Sequence, residues 1–280
     1  MQEQRPSQTA MRVAERRAQH QVLDNPRVFE DPLAVRFAEG AADPGFQMHE
    51  GDPPPISNFL RAFVVARSRY AEDELAQAVA RGVRQYVVLG AGLDTFAYRS
   101  PFPDLRVFEV DHPATQAWKR GTLDRSGIAQ PASLAFVAVD FERQSLADRL
   151  RESGFDAAAP AFFSWLGVTP YLSEEALTGT LRFVASLPRG STVVFDYALP
   201  PESLAPAHRQ AFEAIARRVS ALGEPFRCFL DPTALAAKLG QLGFSKVGDL
   251  DPAGINHRYF HDRADGLRVG GAAHLALAIV

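Results

Sequence analysis

The chain is poor in cysteine. Of its 280 residues only Cys228 is one, which excludes an intramolecular disulfide and a cysteine-based zinc cluster and fits a reducing compartment. It has no excess of positive charge either. The formal net charge is −3, and phosphate backbones are bound by concentrated basic surface, so nucleic acid is not an expected partner. No apolar run approaches the length of a membrane-spanning helix, and the opening MQEQRPSQTA is polar, with no signal-peptide core. The expectation is a cytoplasmic protein that engages no membrane. Other absences concern chemistry. There is no GxSxG elbow, no GxxxxGK phosphate loop, and no tyrosine followed four residues later by lysine: Tyr171 leads to Glu175 and Tyr197 to Pro201. Internal repeats and low-complexity segments are also missing.

What is present suits one globular unit. Hydrophobic residues make up 46% of the chain, enough for a full core without disulfide or metal support. Residues 7–22 read as a helix in which the arginines of MRVAERRAQH alternate with apolar residues at helical spacing. Asp31-Pro32 opens a second helix in cap-then-proline order. After the loop GDPPPIS, an amphipathic pattern runs from Ser57 or Asn58 and stops at Gly82, so residues 1–83 form a helical cap without strands.

From Gln85 the pattern changes to short apolar runs separated by helical stretches: YVVLG, RVFEV, AFVAV, AFFSWL and STVVFDY. This alternation predicts an α/β, doubly wound, Rossmann-like fold, mostly parallel and seven-stranded, over 84–280. The rhythm breaks at about 200–228, where PPESLAPAHRQAFEAIARRVSALGEPFR reads as a helical insertion, a lid. A capped helix, DPTALAAKLGQLGF, then precedes a strand near SKVGDL, and the closing AHLALAIV is expected to be antiparallel. The whole of 1–280 is read as one domain.

The turn VVLGAGLDTF follows the first strand. Gly90 and Gly92 allow a sharp backbone turn and close approach of a ligand, but the third glycine of a dinucleotide fingerprint is replaced by Thr95. Asp94 would repel a pyrophosphate. A ligand with adenosine and no phosphate fits better, and S-adenosylmethionine is one. Two further strand ends supply acids. Asp111 in FEVDHP lies about twenty residues after Gly90, the spacing of a ribose carboxylate, with Glu109 just before it. Asp140 in AVDFERQ is placed to accept from an adenine amino group while Phe141 lies against the ring. Capping of the following helix is a compatible role for Asp111.

Together these segments resemble the S-adenosylmethionine-dependent methyltransferase family that includes leucine carboxyl methyltransferases and polyketide-synthesis O-methyltransferases. TAMRVAERRAQH, FEDPLA, VVARSRY, VVLGAGLDTFAYR, FEVDHPATQAWKR, VDFERQ, FFSWLGVTPYLSEEAL and RYFHDRADGLR carry the likeness over nearly the whole chain. The resemblance implies that Arg67 pairs with the cofactor carboxylate, that Gly90 and Gly92 form the methionine-side turn, and that Asp111 is the ribose ligand. It likewise implies adenine contacts from Asp140 and Phe141, and closure of Arg17 over the cofactor. One departure stands out: where many members have glutamate in a pattern like EGxxxYL, this chain has Leu166 before Gly167. Any contact made by that carboxylate is absent or replaced, and the bacterial, polyketide-synthesis branch is the closer likeness.

Methyl transfer from a sulfonium asks mainly for alignment and exclusion of water. The expected acceptor is a small molecule bearing a carboxylate or a hydroxyl. A carboxylate needs no base, whereas a hydroxyl profits from one. Tyr171, Asp196 and Tyr197, each expected just past a strand, are the candidate pocket residues, and Phe59, Phe63 and Phe212 would suit an apolar acceptor or simply pack. His257 and His261 have i, i+4 spacing, but Pro252, Gly254 and the aromatic RYF argue against a helix there and no metal is expected. Two other readings stay open: an NAD(P)-dependent oxidoreductase, and a non-catalytic S-adenosylmethionine-binding protein, which the leucine at 166 keeps in play.

Overall fold

A computed structural model describes residues 8–41, 55–140, 143–221 and 223–280. Seven strands form one sheet: β1 (Gln85–Leu89), β2 (Arg106–Asp111), β3 (Leu134–Ala138), β4 (Ala161–Trp165), β5 (Thr192–Tyr197), β6 (Lys246–Leu250) and β7 (His274–Ile279). Their order is β3-β2-β1-β4-β5-β7-β6. β1, β4 and β5 are buried at every position, as expected of central strands covered on both faces by helices. β6, KVGDL, is largely exposed or half-buried and lies at the edge. The first five strands are parallel, and β7 runs antiparallel between β5 and β6.

Register aligns the carboxyl ends. Leu89 lies opposite Val110 and Trp165, and Trp165 opposite Phe195, so Gly90, Asp111, Leu166 and Asp196 emerge along one rim of the sheet. That rim is where open α/β sheets bind ligands.

Helices cover both faces. α1 (Gln8–Leu23), α2 (Ala34–Ala41) and α3 (Pro55–Ala80) precede the sheet. Ala62, Ala66 and Leu75 of α3 pack with Val88, Phe96 and Phe162 on one face. On the other, Trp165, Phe163 and Phe195 pack with residues of α6 (Glu174–Ala185) and α8 (Pro232–Leu242). The remaining helices are α4 (Pro113–Arg125), α5 (Leu146–Glu152), α7 (Pro206–Ala221) and α9 (Pro252–Tyr259).

Three local outcomes differ from the sequence expectation. Asp31-Pro32 starts a turn before α2 rather than its first helical residue: Asp31 accepts from Leu33 and Ala34 through its side chain and its carbonyl. After the glycine turn the chain makes only a single 3₁₀ turn, Phe96–Tyr98. And the segment around His257 is helical. Asp251 caps α9 by accepting from the Gly254 N–H at 2.7 Å, with Pro252 in its first turn, so the cap outweighs the glycine and aromatics that argue against a helix. His257 lies on α9, His261 just beyond it, with ring centroids 6.2 Å apart. Among the described residues no group of three or more histidine, cysteine or acidic side chains converges as a metal site would require.

Candidate functional site

Two cavities open at the carboxyl rim of the sheet. The first, about 230 Å³, is bordered by the turn 90–94, Asp111, Asp140, Gly167, Arg17 and Arg67. The second, about 490 Å³, lies between α1, α3 and α7 and is largely apolar. Thr9, Val13, Arg67, Gly167 and Tyr171 border both, so they stand at the junction.

The glycine turn is strapped to β2, with the N–H groups of Gly90 and Ala91 both donating to the Val110 carbonyl. Gly90 has φ +66°, a conformation that side-chain-bearing residues rarely adopt. A Cβ on Gly90 would sit 2.3 Å from Val168 Cγ2, and one on Gly92 would sit 3.2 Å from Ala10 Cβ of α1. The space that glycine leaves is therefore taken by this protein's own atoms as well as bordering the cavity. Asp111 closes the turn from the other side: Gly92 N–H donates to its Oδ2 and His112 N–H to its Oδ1, each at 2.6 Å. Burial pushes this carboxyl above its ordinary range in spite of those two donors.

Asp94 and Arg17 belong to one buried network. Arg17 donates to Asp31 at 2.6 Å, to Asp94 at 3.0 Å and to Thr95 Oγ1 at 2.8 Å. Burial alone would raise the Asp94 carboxyl, but Arg17, Lys119 and Arg99 together outweigh it and hold the carboxyl below its ordinary value. The repulsion of a pyrophosphate expected from Asp94 is thus largely offset by Arg17. Arg17 also lines the first cavity, so a site role and an anchoring role share one side chain.

Arg67 comes from α3 and meets Asp196 of β5 at 2.9 Å. The Gly167 N–H donates to the other Asp196 oxygen. A Cβ on Gly167, whose φ is +74°, would lie 2.7 Å from Arg67 Nη2, so the guanidinium fits only against glycine. Leu166 borders the first cavity with an apolar side chain. Asp140 also borders it, whereas Phe141 falls outside the described residues.

The remaining candidates separate. Tyr171 stands in a 3₁₀ turn at the junction, its ring 5.2 Å from Phe226, and burial pushes its hydroxyl up to about 12. Asp196 and Tyr197 are the last two residues of β5 rather than loop residues beyond it. Tyr197 donates its hydroxyl to Asp249 at 2.7 Å. Phe59, Phe63 and Phe212 all line the second cavity.

Some site residues escaped the sequence reading. Thr9 at the start of α1 bonds Glu224 beyond α7, joining the two helical parts over the first cavity. Behind the cavity lining, Lys119 lies 2.6 Å from Glu109 in a pair that is 1% exposed on both sides. Glu109 was legible only as the acid two residues before Asp111, on the same side of the strand.

The family model described as leucine carboxyl methyltransferase matches residues 10–185. A Bacillus subtilis protein named "Putative S-adenosyl-L-methionine-dependent methyltransferase YktD" is 35% identical over 218 residues, covering 77% of this chain and 71% of that protein. A Mycobacteroides abscessus protein of the same designation, without the YktD, is 39% identical over 201 residues, 70% of this chain and 66% of its own. Among solved structures, a DUF574 family protein from Streptomyces avermitilis superimposes with a TM-score of 0.57 at 19% identity, over 95% of this chain and 96% of that one. That last likeness establishes the fold.

Proposed function

This chain belongs to the leucine carboxyl methyltransferase family, and from that premise we propose that its first cavity seats S-adenosylmethionine while its second admits a small-molecule acceptor that is methylated on oxygen. The protein is an S-adenosylmethionine-dependent methyltransferase. When bound, the cofactor supplies a methyl group activated on a sulfonium. The site residues fit it. Each Asp111 oxygen accepts one backbone N–H and keeps a further lone pair for a ribose hydroxyl. Arg67 engages Asp196 through one nitrogen, leaving its other donors for a carboxylate. In this reading Gly90 and Gly92 line the methionine side, Asp140 and Phe141 attend the adenine, and Arg17 steadies the turn beneath it.

The observation that carries the reading is the junction: one wall, containing Arg67, Gly167 and Tyr171, separates a cavity rimmed by strand-end carboxylates from a larger, more apolar one. Such a wall lets two ligands meet while α1 and the segment after α7 exclude water. The acceptor oxygen favoured is a carboxylate. A hydroxyl profits from a base, and none of the three candidates is poised as one: burial holds the Tyr171 hydroxyl up at about 12, Asp196 accepts from Arg67 and Gly167, and Tyr197 donates to Asp249.

Calorimetry with S-adenosylmethionine and with NADH, on wild type and Asp111→Ala, tests the cofactor assignment. Binding of the former, lost in the variant, is expected. Tight NADH binding with no response to S-adenosylmethionine would overturn it. Mass-spectrometric detection of methyl esters across a panel of free acids and phenols tests the acceptor. Cofactor binding without turnover on any of them would favour a non-catalytic role.

A further inference from the structure

The second cavity combines an apolar body with a cluster of arginines that neither the family likeness nor the cofactor site employs. Arg12 and Arg16 stand one turn apart on α1, and Arg218 faces them from α7; with Arg67 they make four arginines on a lining whose described residues include a single carboxylate, Asp196. That carboxylate is already engaged by Arg67 and the Gly167 N–H. Among the described residues none of Arg12, Arg16 and Arg218 has a carboxylate within ion-pair distance, and the Nε of Arg16 is buried without a hydrogen-bond partner. Burial, then Arg12, Arg218 and Arg67, lower the Arg16 guanidinium from its ordinary value, with Glu15 acting the other way.

A guanidinium stays charged in a protein, so this excess of positive charge persists in a largely apolar cavity, inside a chain whose net charge is −3. Like charges held together with no carboxylate at ion-pair distance among the described residues favour an incoming anion. The planar forks match a carboxylate. The helix also sets the location: residues 9 and 13 of α1 border both cavities, and residues 12 and 16 lie on the same face and border the second.

We propose that Arg12, Arg16 and Arg218 form an oxyanion-binding subsite that selects, as ligand of the second cavity, a small apolar molecule carrying a free carboxylate. The body of that molecule lies among Phe59, Phe63, Phe212 and Phe226. This rests on the reading of the second cavity as the acceptor site.

The test uses the full chain loaded with S-adenosylhomocysteine, and calorimetry with two matched pairs of probes: 4-phenylbutanoate against 4-phenylbutan-1-ol, and octanoate against octan-1-ol. At least one acid is expected to bind about tenfold or more tightly than its alcohol, as a charge-assisted contact implies. Arg16→Met and, separately, the exposed Arg218→Gln are expected to weaken the acid about tenfold while leaving the alcohol and S-adenosylhomocysteine unchanged. Equal binding of acid and alcohol in both pairs, no binding of either acid, or variants that bind the acid like wild type would overturn the subsite. Failure of S-adenosylhomocysteine to bind wild type would instead overturn the cofactor reading, so the two are distinguishable.

Discussion

Gly167 carries two constraints that can be separated by experiment. Its φ of +74° disfavours a side chain, and a Cβ there would strike Arg67 Nη2 at 2.7 Å. Gly190, with φ +90°, meets nothing within 4 Å of the same construction. Alanine at either position should cost about 1 kcal/mol of stability from the backbone alone. Only Gly167→Ala should also displace Arg67, and it is expected to weaken S-adenosylhomocysteine binding about tenfold or more, whereas Gly190→Ala should bind as wild type. Equal affinities in the two variants, measured by calorimetry beside urea unfolding, would show that Arg67 does not need its present position. Asp111 offers a second residue-scale prediction. Two backbone N–H groups point at its two oxygens, so an amide at this position would turn its NH₂ toward a donor. Asp111→Asn should therefore lose ligand affinity. Burial raises the Asp111 carboxyl, so wild-type affinity should fall, as pH is lowered, from above the ordinary carboxylate range, and the variant should lack that slope. A pH titration of binding checks both.

α1 reaches the site because its far end is clamped. His20 Nδ1 lies 2.6 Å from Asp24, its Nε2 accepts from the N–H groups of Val28 and Phe29, and Arg61 of α3 grips Asp24 with two nitrogens. Burial would raise the Asp24 carboxyl, yet His20 and Arg61 outweigh it and lower it. Asp24→Ala leaves a guanidinium that is 6% exposed without its partner and is expected to cost about 3–5 kcal/mol in urea unfolding, with ligand affinity falling as α1 loosens. A loss under about 1 kcal/mol would show that α1 docks by apolar packing alone. Contacts of this kind explain what was readable at the scale of elements. The strands were legible because β-branched and aromatic runs such as STVVFDY end at turn residues, and α8 because Asp231-Pro232 begins it and Gly243 ends it. α9 carries the same Asp-Pro signal, which Gly254 and the aromatics obscured. The place of Asp111 at the cavity was legible from its spacing after Gly90, across a connection that makes only a 3₁₀ turn. The pairing of Arg67 with Asp196, 129 residues apart, and the arginines of the second cavity arise only when α1, α3, β5 and α7 converge, and no local pattern encodes that.

At the scale of the molecule, stability should fall between mildly acidic and neutral pH, because the sheet buries an acid that prefers its proton. Glu109 sits in β2 beside Lys119 of α4, both 1% exposed. Burial pushes its carboxyl to about 7, and Lys119 counters this only in part. The native state therefore keeps a proton that the unfolded chain releases near 4.5, so this group favours folding fully below about 4.5 and progressively less as pH rises to about 7. The difference corresponds to at most about 3 kcal/mol. Asp24 and Asp94 act oppositely, being lowered, so their contribution is present above about 4 and lost in stronger acid. Between these windows lies a maximum at mildly acidic pH. Glu109→Gln should remove much of the decline toward neutrality, and only above about 7, where Glu109 is ionised, does it deprive the buried Lys119 of a carboxylate. Urea unfolding of wild type and variant at pH 5 and 7.5 decides the matter. A shallower pH slope in the variant is expected, and parallel slopes would place the titrating group elsewhere in the sheet.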